Sequence, residues 1–332
     1  MQLRKYLRPL IVSVALAIVI YLAIALALDW ENTYRAIRSL SLAVWLLIIG
    51  LTLLNFLFRG VRWHGYMLWL GHKVPLFKDL AIYLAGLAFT TTPGKVGETV
   101  RSVYLKQLGV PYAHSIAALI VERLIDVITM VFLSLFCVFA FSQYQSHIVV
   151  ILLAATGILI GVRSERVQDW LAERIAALAS AKVKTLGEHV IDLLQAVRSL
   201  LKTGPLLAGL ALGLIAWGAE GFVLQIILVG LGVDIGWPVA VGVYAIAILA
   251  GAISFIPGGL GSTEAVMGGS LVLLGVEPGT AVAATLICRL VTLWPAVAIG
   301  LGFVLALEGS ALAAPAHSEA PLAPAQARES EE

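Results

Sequence analysis

Apolar residues gather into long runs along the chain, at about 10–28, 42–58, 114–141, 205–230, 238–255 and 280–307. Most approach or pass the ~20 residues a helix needs to cross a hydrocarbon core roughly 30 Å thick, so each run predicts a spanning helix. Shorter apolar pieces lie at 80–90, 97–107, 148–162 and 260–274. The piece at 97–107 is too short to span. Between 163 and 202 charges break the pattern, while Leu186, Val190, Leu193, Val197 and Leu200 recur at helical spacing. That spacing predicts either an amphipathic helix on the membrane surface or a solvated helical linker. From Glu308 onward Ala, Pro, Ser and Glu dominate, which predicts a disordered tail over 309–332.

Composition turns these runs into a class. Of the 332 residues 60% are hydrophobic and 13% charged, with a mean hydropathy of +0.97, as in an integral membrane protein. The run at 10–28 follows Arg4, Lys5 and Arg8 but is longer than a signal-peptide core, so it reads as a retained first span. A net charge of +2 gives no reason to expect a nucleic-acid partner. Cys137 and Cys288 sit in apolar segments without a redox pattern. The six His have no metal-ligand spacing, and no nucleophile elbow or phosphate loop occurs, so no cofactor, metal or soluble enzyme chemistry is expected.

Charge distribution gives an orientation. Lys and Arg concentrate at the N-terminus, in a region carrying Arg59, Arg62, Lys73 and Lys78, and in 163–202, which holds seven of them. The stretches 142–147 and 232–237 hold none. The basic segments and both termini are therefore expected on the cytoplasmic side. This works only if residues 80–107 return to the side they came from, as a re-entrant hairpin.

That hairpin contains "TTPGKVGETV", and "FIPGGLGSTEAV" at 255–266 resembles it. Each has Pro-Gly, a glycine three residues after the first, and then a glutamate. A fixed offset of 166 residues brings Glu98 onto Glu264, Gly109 onto Gly275 and Arg123 onto Arg289. An internal repeat is the reading, with chance likeness in Leu/Ala/Gly-rich sequence as its alternative. Three expected spans separate the copies, which would turn the second over. The expected fold class is an all-α polytopic membrane protein with about six full spans and two re-entrant helical hairpins in an inverted-topology repeat, as in many transporters.

Ionisable residues at membrane depth cost about 2.5–3.5 kcal/mol on insertion scales and so face a cavity or a partner. Glu98, Arg101, Glu122, Arg123, Asp126, Glu220, Glu264 and Arg289 all fall in or beside apolar segments. Two readings stand: buried ion pairs that set helix register, or guanidinium groups that receive an anionic headgroup. The breaks at Pro93, Gly94 and Gly97, and at Pro257, Gly258 and Gly261, are expected to free backbone N–H groups toward the same cavity. Asn55, Arg59 and Arg62 form a further polar face, either snorkelling to the interface or gathering anionic headgroups. The Trp residues read as interface anchors and core.

"PGKVGETVR" with "LIVERLIDVI", followed by "FIPGGLGSTEAV", resembles the lysylphosphatidylglycerol synthetase transmembrane-region family, also called flippase-like domain proteins. The resemblance covers roughly residues 5–308 and implies a stand-alone member without the soluble aminoacyl-transfer domain. It implies movement of a lipid between leaflets of a bacterial inner membrane, with the motif residues above as the substrate site. In the second copy Cys288 and Thr292 stand where Glu122 and Asp126 stand in the first, so the site is expected to be electrostatically asymmetric. Two alternatives remain: a membrane-embedded transferase using Glu98, Glu122 or Asp126 as general base, and a non-catalytic partner of a lipid-modifying enzyme.

Overall fold

The computed structural model describes residues 30–92, 97–137 and 181–313, with isolated positions at 19, 157, 161, 164, 166, 169, 170, 173 and 174. Pro93, Gly94, the expected first span, most of 138–180 and the tail from 314 lie outside the described residues.

Helix α1 covers Trp30–Ser39 and α2 covers Leu42–Trp69. Ser41 starts α2 by accepting the Val44 N–H on its hydroxyl at 3.4 Å. The helix has 28 residues, about 42 Å at roughly 1.5 Å per residue, enough to cross a bilayer core. It does not stop at 58, and the basic turn expected from Arg59 is helical as far as Trp69. The arginines are compatible with a continuing helix because they point inward to carboxylates. The break comes after Trp69, where the His72 N–H reaches back to the Met67 carbonyl at 2.9 Å.

Helix α3 (Leu76–Leu87), the short α4 (Val100–Lys106) and α5 (Tyr112–Ser134) follow, with a tight turn at Leu135–Cys137. Helix α6 covers Ala181–Leu200. The succession then recurs as α7 (Thr203–Gly230), α8 (Trp237–Ile253), a tight turn at Pro257–Gly259, α9 (Ser262–Leu273) and α10 (Pro278–Thr292), and α11 (Trp294–Ala313) closes the described chain. In both halves a long helix, a shorter one, a break and a short helix precede another membrane-length segment. Gly109 and Gly275 end α4 and α9 at φ 84° and 87°. An added Cβ would meet nothing within 4 Å at either. Glycine is needed there for the left-handed backbone alone. That turn lets the Val110 N–H bond the Leu105 carbonyl and the Val276 N–H bond the Leu271 carbonyl, at 3.1 and 3.0 Å.

The expected span 280–307 is two helices, α10 and α11, meeting at Leu293. Pro295 has no N–H to give the Val291 carbonyl, so the first helix ends before it. Helix α11 also runs on to Ala313, past the expected start of the tail. Among the described residues, three segments are long and apolar enough to cross a membrane: Leu42–Trp69, Thr203–Gly230 and Pro278–Gly309.

Packing is inside out relative to a water-soluble bundle. On α2, Leu42, Leu46, Leu53 and Leu57 are exposed while Asn55, Arg59 and Arg62 are buried, the arrangement expected where hydrocarbon surrounds the protein. Helix α2 packs along α7, α11 along α3, and α5 lies against α7 and α8. Helix α6 corrects an expectation: Ala196, Val197 and Leu200 are buried in one core with Val121 and Ile125 of α5. Over Ala196–Leu200 its apolar side covers protein.

Candidate functional site

Charged side chains from α2, α4 and α5 converge on one point. Asp126 accepts from Arg62 at 2.6 Å, and Arg59 lies 3.5 Å from Glu122 and 3.9 Å from Asp126. Arg101 donates to Glu122 at 2.8 Å and to Glu98. Arg123 reaches Glu122, Glu98 and Asp126 at 2.9, 3.3 and 3.5 Å. Four guanidinium groups thus share three carboxylates. Removed from water, such charges persist only when paired and hydrogen-bonded in this way.

Aromatic rings complete the shell. The Arg59 guanidinium lies 4.7 Å from the Trp217 ring centroid, and Arg101 stacks at 4.8 and 4.4 Å over Trp63 and Tyr83. The Trp217 indole N–H also donates to Asp126 at 2.9 Å. These tryptophans therefore serve the ionic cluster, not the membrane interface. Snorkelling is excluded for Arg59 and Arg62, which are 5% and 1% exposed. Asn55 donates to the Ala216 carbonyl at 2.9 Å and ties α2 to α7.

The second half has a simpler version. Arg289 donates through Nε to Glu264 at 2.7 Å and through Nη2 to the Gly258 carbonyl at 2.6 Å. Glu264 also accepts the Gly261 N–H at 2.7 Å, capping α9 from its own first turn. In the first half the Gly97 N–H donates to the Thr92 hydroxyl at 2.9 Å. The expected free N–H groups at Gly97 and Gly261 are therefore already bonded within the protein, because a nearby side-chain oxygen in each copy is the closer acceptor.

A cavity of about 270 Å³ lies between the halves. Of the sequence candidates, Arg123, Asp126, Gly258 and Arg289 line it, as do Arg59 and Glu220. Glu98, Arg101 and Glu122 are fully enclosed behind it and hold the lining arginines in place. Pro257, Gly261, Glu264, Gly97, Asn55 and Arg62 are not among the lining residues. Arg123 has the most exposed side chain of the cluster, at 28%. The Nε atoms of all four cluster arginines, Arg59, Arg62, Arg101 and Arg123, are buried with no hydrogen-bond partner among the described residues. Glu220, bonded by the Tyr244 hydroxyl, stands on the α7 side of the same cavity.

Sequence reading missed several members. Thr90, Thr92, Trp217 and Tyr244 line the cavity, and Asp79 is fully buried, accepting from the Trp63 indole at 3.1 Å with His64 at 2.8 Å. Asp79 had a readable signal, a carboxylate at the head of the apolar piece 80–90. The hydroxyls and rings had none, since such residues are ordinary in membrane helices.

Comparison with known proteins places the chain. The family model for the lysylphosphatidylglycerol synthase TM region matches residues 10–300. A UPF0104 membrane protein of Pyrococcus horikoshii is 26% identical over 329 residues, covering 90% of this chain and 97% of its own length. Two UPF0104 membrane proteins of Methanothermobacter thermautotrophicus are 24% and 23% identical, covering 70% and 87% of this chain and 75% and 91% of their own lengths.

Proposed function

We propose that this chain, which belongs to the lysylphosphatidylglycerol synthase TM-region family, binds the anionic, phosphate-bearing headgroup of a lipid in the cavity and moves that lipid between leaflets. The observation that carries the reading is the four-to-three ratio of arginines to carboxylates in the cluster, with Arg59 and Arg123 lining the cavity and Arg123 the most exposed side chain of the four arginines. A phosphate group would balance the charge of that cluster, and guanidinium suits it geometrically. Glu220 on the far wall would restrict which headgroups fit.

The proposed setting is a cytoplasmic membrane crossed by about six spans, with both termini cytoplasmic and the two halves inverted. The recurring order of elements and the matched Glu98–Arg123 and Glu264–Arg289 pairs support the repeat. Inversion would let each half expose the cavity to one side in turn. A transferase reading draws less support, since Glu98 and Glu122 are enclosed and held by arginines, an unsuitable state for a general base.

The test is reconstitution into phosphatidylethanolamine and phosphatidylglycerol vesicles, with dithionite quenching of a fluorescent phosphatidylglycerol as the readout of leaflet exchange. Wild-type protein should accelerate exchange and Arg123→Ala should not. Equal exchange by the variant would remove Arg123 from the function.

A further inference from the structure

The cavity has an apolar side as well as an ionic one. Val127 and Met130 of α5 line that side with Leu249 and Ala252 of α8, and Phe255 and Ile256 complete it at the break. Val127, Phe255 and Ile256 are 42%, 72% and 41% exposed, so this side reaches the outer face of the bundle. Beyond the end of α5 the tight turn at Leu135–Cys137 packs against α8. A Cβ on Gly242 would lie 2.6 Å from Cys137 Sγ and 2.7 Å from its amide nitrogen. The chain is thus in close contact at Gly242 and Cys137, and the cavity lies between α5 and α8 farther along.

Phe255 stands where that cavity reaches the outer face. It is the one non-glycine residue with positive φ among the described residues, at 54°. A bulky residue rarely adopts this backbone, and such strain collects at functional positions. Its counterpart before the first Pro-Gly is Thr91, and that of Ile256 is Thr92. The first half thus gives hydroxyls to the cavity where the second gives an aromatic and an aliphatic side chain.

We propose that the acyl chains of the bound lipid leave the cavity laterally between α5 and α8, across Phe255. The proposal rests on the headgroup reading above. An amphiphile matches both sides of this one cavity: an anionic head meets Arg59 and Arg123, and hydrocarbon meets Val127, Met130 and Phe255.

The full chain in phosphatidylethanolamine and phosphatidylglycerol vesicles tests this with Ala252→Trp, which fills the opening from an exposed position. Exchange of long-chain phosphatidylglycerol should slow by about tenfold or more, a change of roughly 1.4 kcal/mol in barrier. Calorimetric binding of water-soluble dihexanoyl phosphatidylglycerol to the wild-type protein reads headgroup occupancy separately from that exchange. Unchanged long-chain exchange overturns the lateral exit and leaves headgroup binding standing. If wild-type protein neither binds the short-chain lipid nor exchanges the long-chain one, the headgroup reading fails and takes the exit with it. A second measurement avoids any folding defect of the tryptophan variant: a benzoylphenylalanine photo-crosslinker at position 255, compared with one at Leu305, which is 70% exposed on α11. Lipid adducts at 255 that dihexanoyl phosphatidylglycerol displaces support the exit; equal labelling at both positions, without displacement, overturns it.

Discussion

Arg123 pairs with Glu98 at 3.3 Å across the start of the first half, and the residues at the same offset in the second half, Arg289 and Glu264, pair at 2.7 Å. One interaction thus recurs in two environments. In the first it is embedded in a seven-member ionic cluster, while in the second Arg289 turns its other nitrogen to the Gly258 carbonyl.

Position within the cluster predicts different consequences for removing different arginines. Arg101 is fully enclosed and bonded to Glu98 and Glu122, so Arg101→Ala should destabilise by about 3–5 kcal/mol by leaving buried carboxylates uncompensated. Arg123→Ala, at the cavity wall, should lose exchange activity with a smaller shift in thermal midpoint. Paired unfolding curves in detergent check this, and equal shifts for both variants would refute the division.

Gly86 lies against the Arg101 side chain, and an added Cβ would overlap its Nε and Cγ. Gly86→Ala should therefore displace the guanidinium and cost about 1–3 kcal/mol by overpacking. Gly50, whose surroundings are open within 4 Å, provides the comparison: Gly50→Ala should leave the midpoint unchanged or higher.

Gly275→Ala should destabilise by about 1 kcal/mol through left-handed strain, and Gly275→Asn by less, because Asn tolerates that backbone. Thermal unfolding of the two variants gives the order. The reverse order would show that contacts, not φ, select glycine there.

His72, in the turn between α2 and α3, hydrogen-bonds His114 at 2.7 Å, and His114 contacts Asp192 of α6 at 3.2 Å. Burial, then the neighbouring His114, holds the His72 pKa below the ordinary histidine value of 6.5. The unfolded chain therefore binds this proton more readily, and the stability the pair contributes should fall as pH drops below about 6.5. Acidification should loosen α6 from α5, read by hydrogen exchange over residues 189–200, and His72→Gln should blunt the response. Identical pH profiles would exclude His72 as the cause.

Much of this molecule is written locally. Runs of apolar residues fix the membrane class and most helices, because crossing hydrocarbon imposes length and composition on each segment by itself. The paired Pro-Gly breaks and the spacing of Glu98 and Arg123 are likewise visible as text. What the text leaves undecided is direction. Arg59 and Glu122 are 63 residues apart, and nothing near either one reveals that α2 turns its polar face toward α5. Arg59 and Arg62 read as interface residues until packing places them inside, and Gly97 and Gly261 read as anion donors until Thr92 and Glu264 are seen to take their N–H groups. Periodicity names a helix and its faces. The choice of partner for each face follows from how helices distant in sequence pack to satisfy buried charge, a global condition that only the tertiary structure resolves.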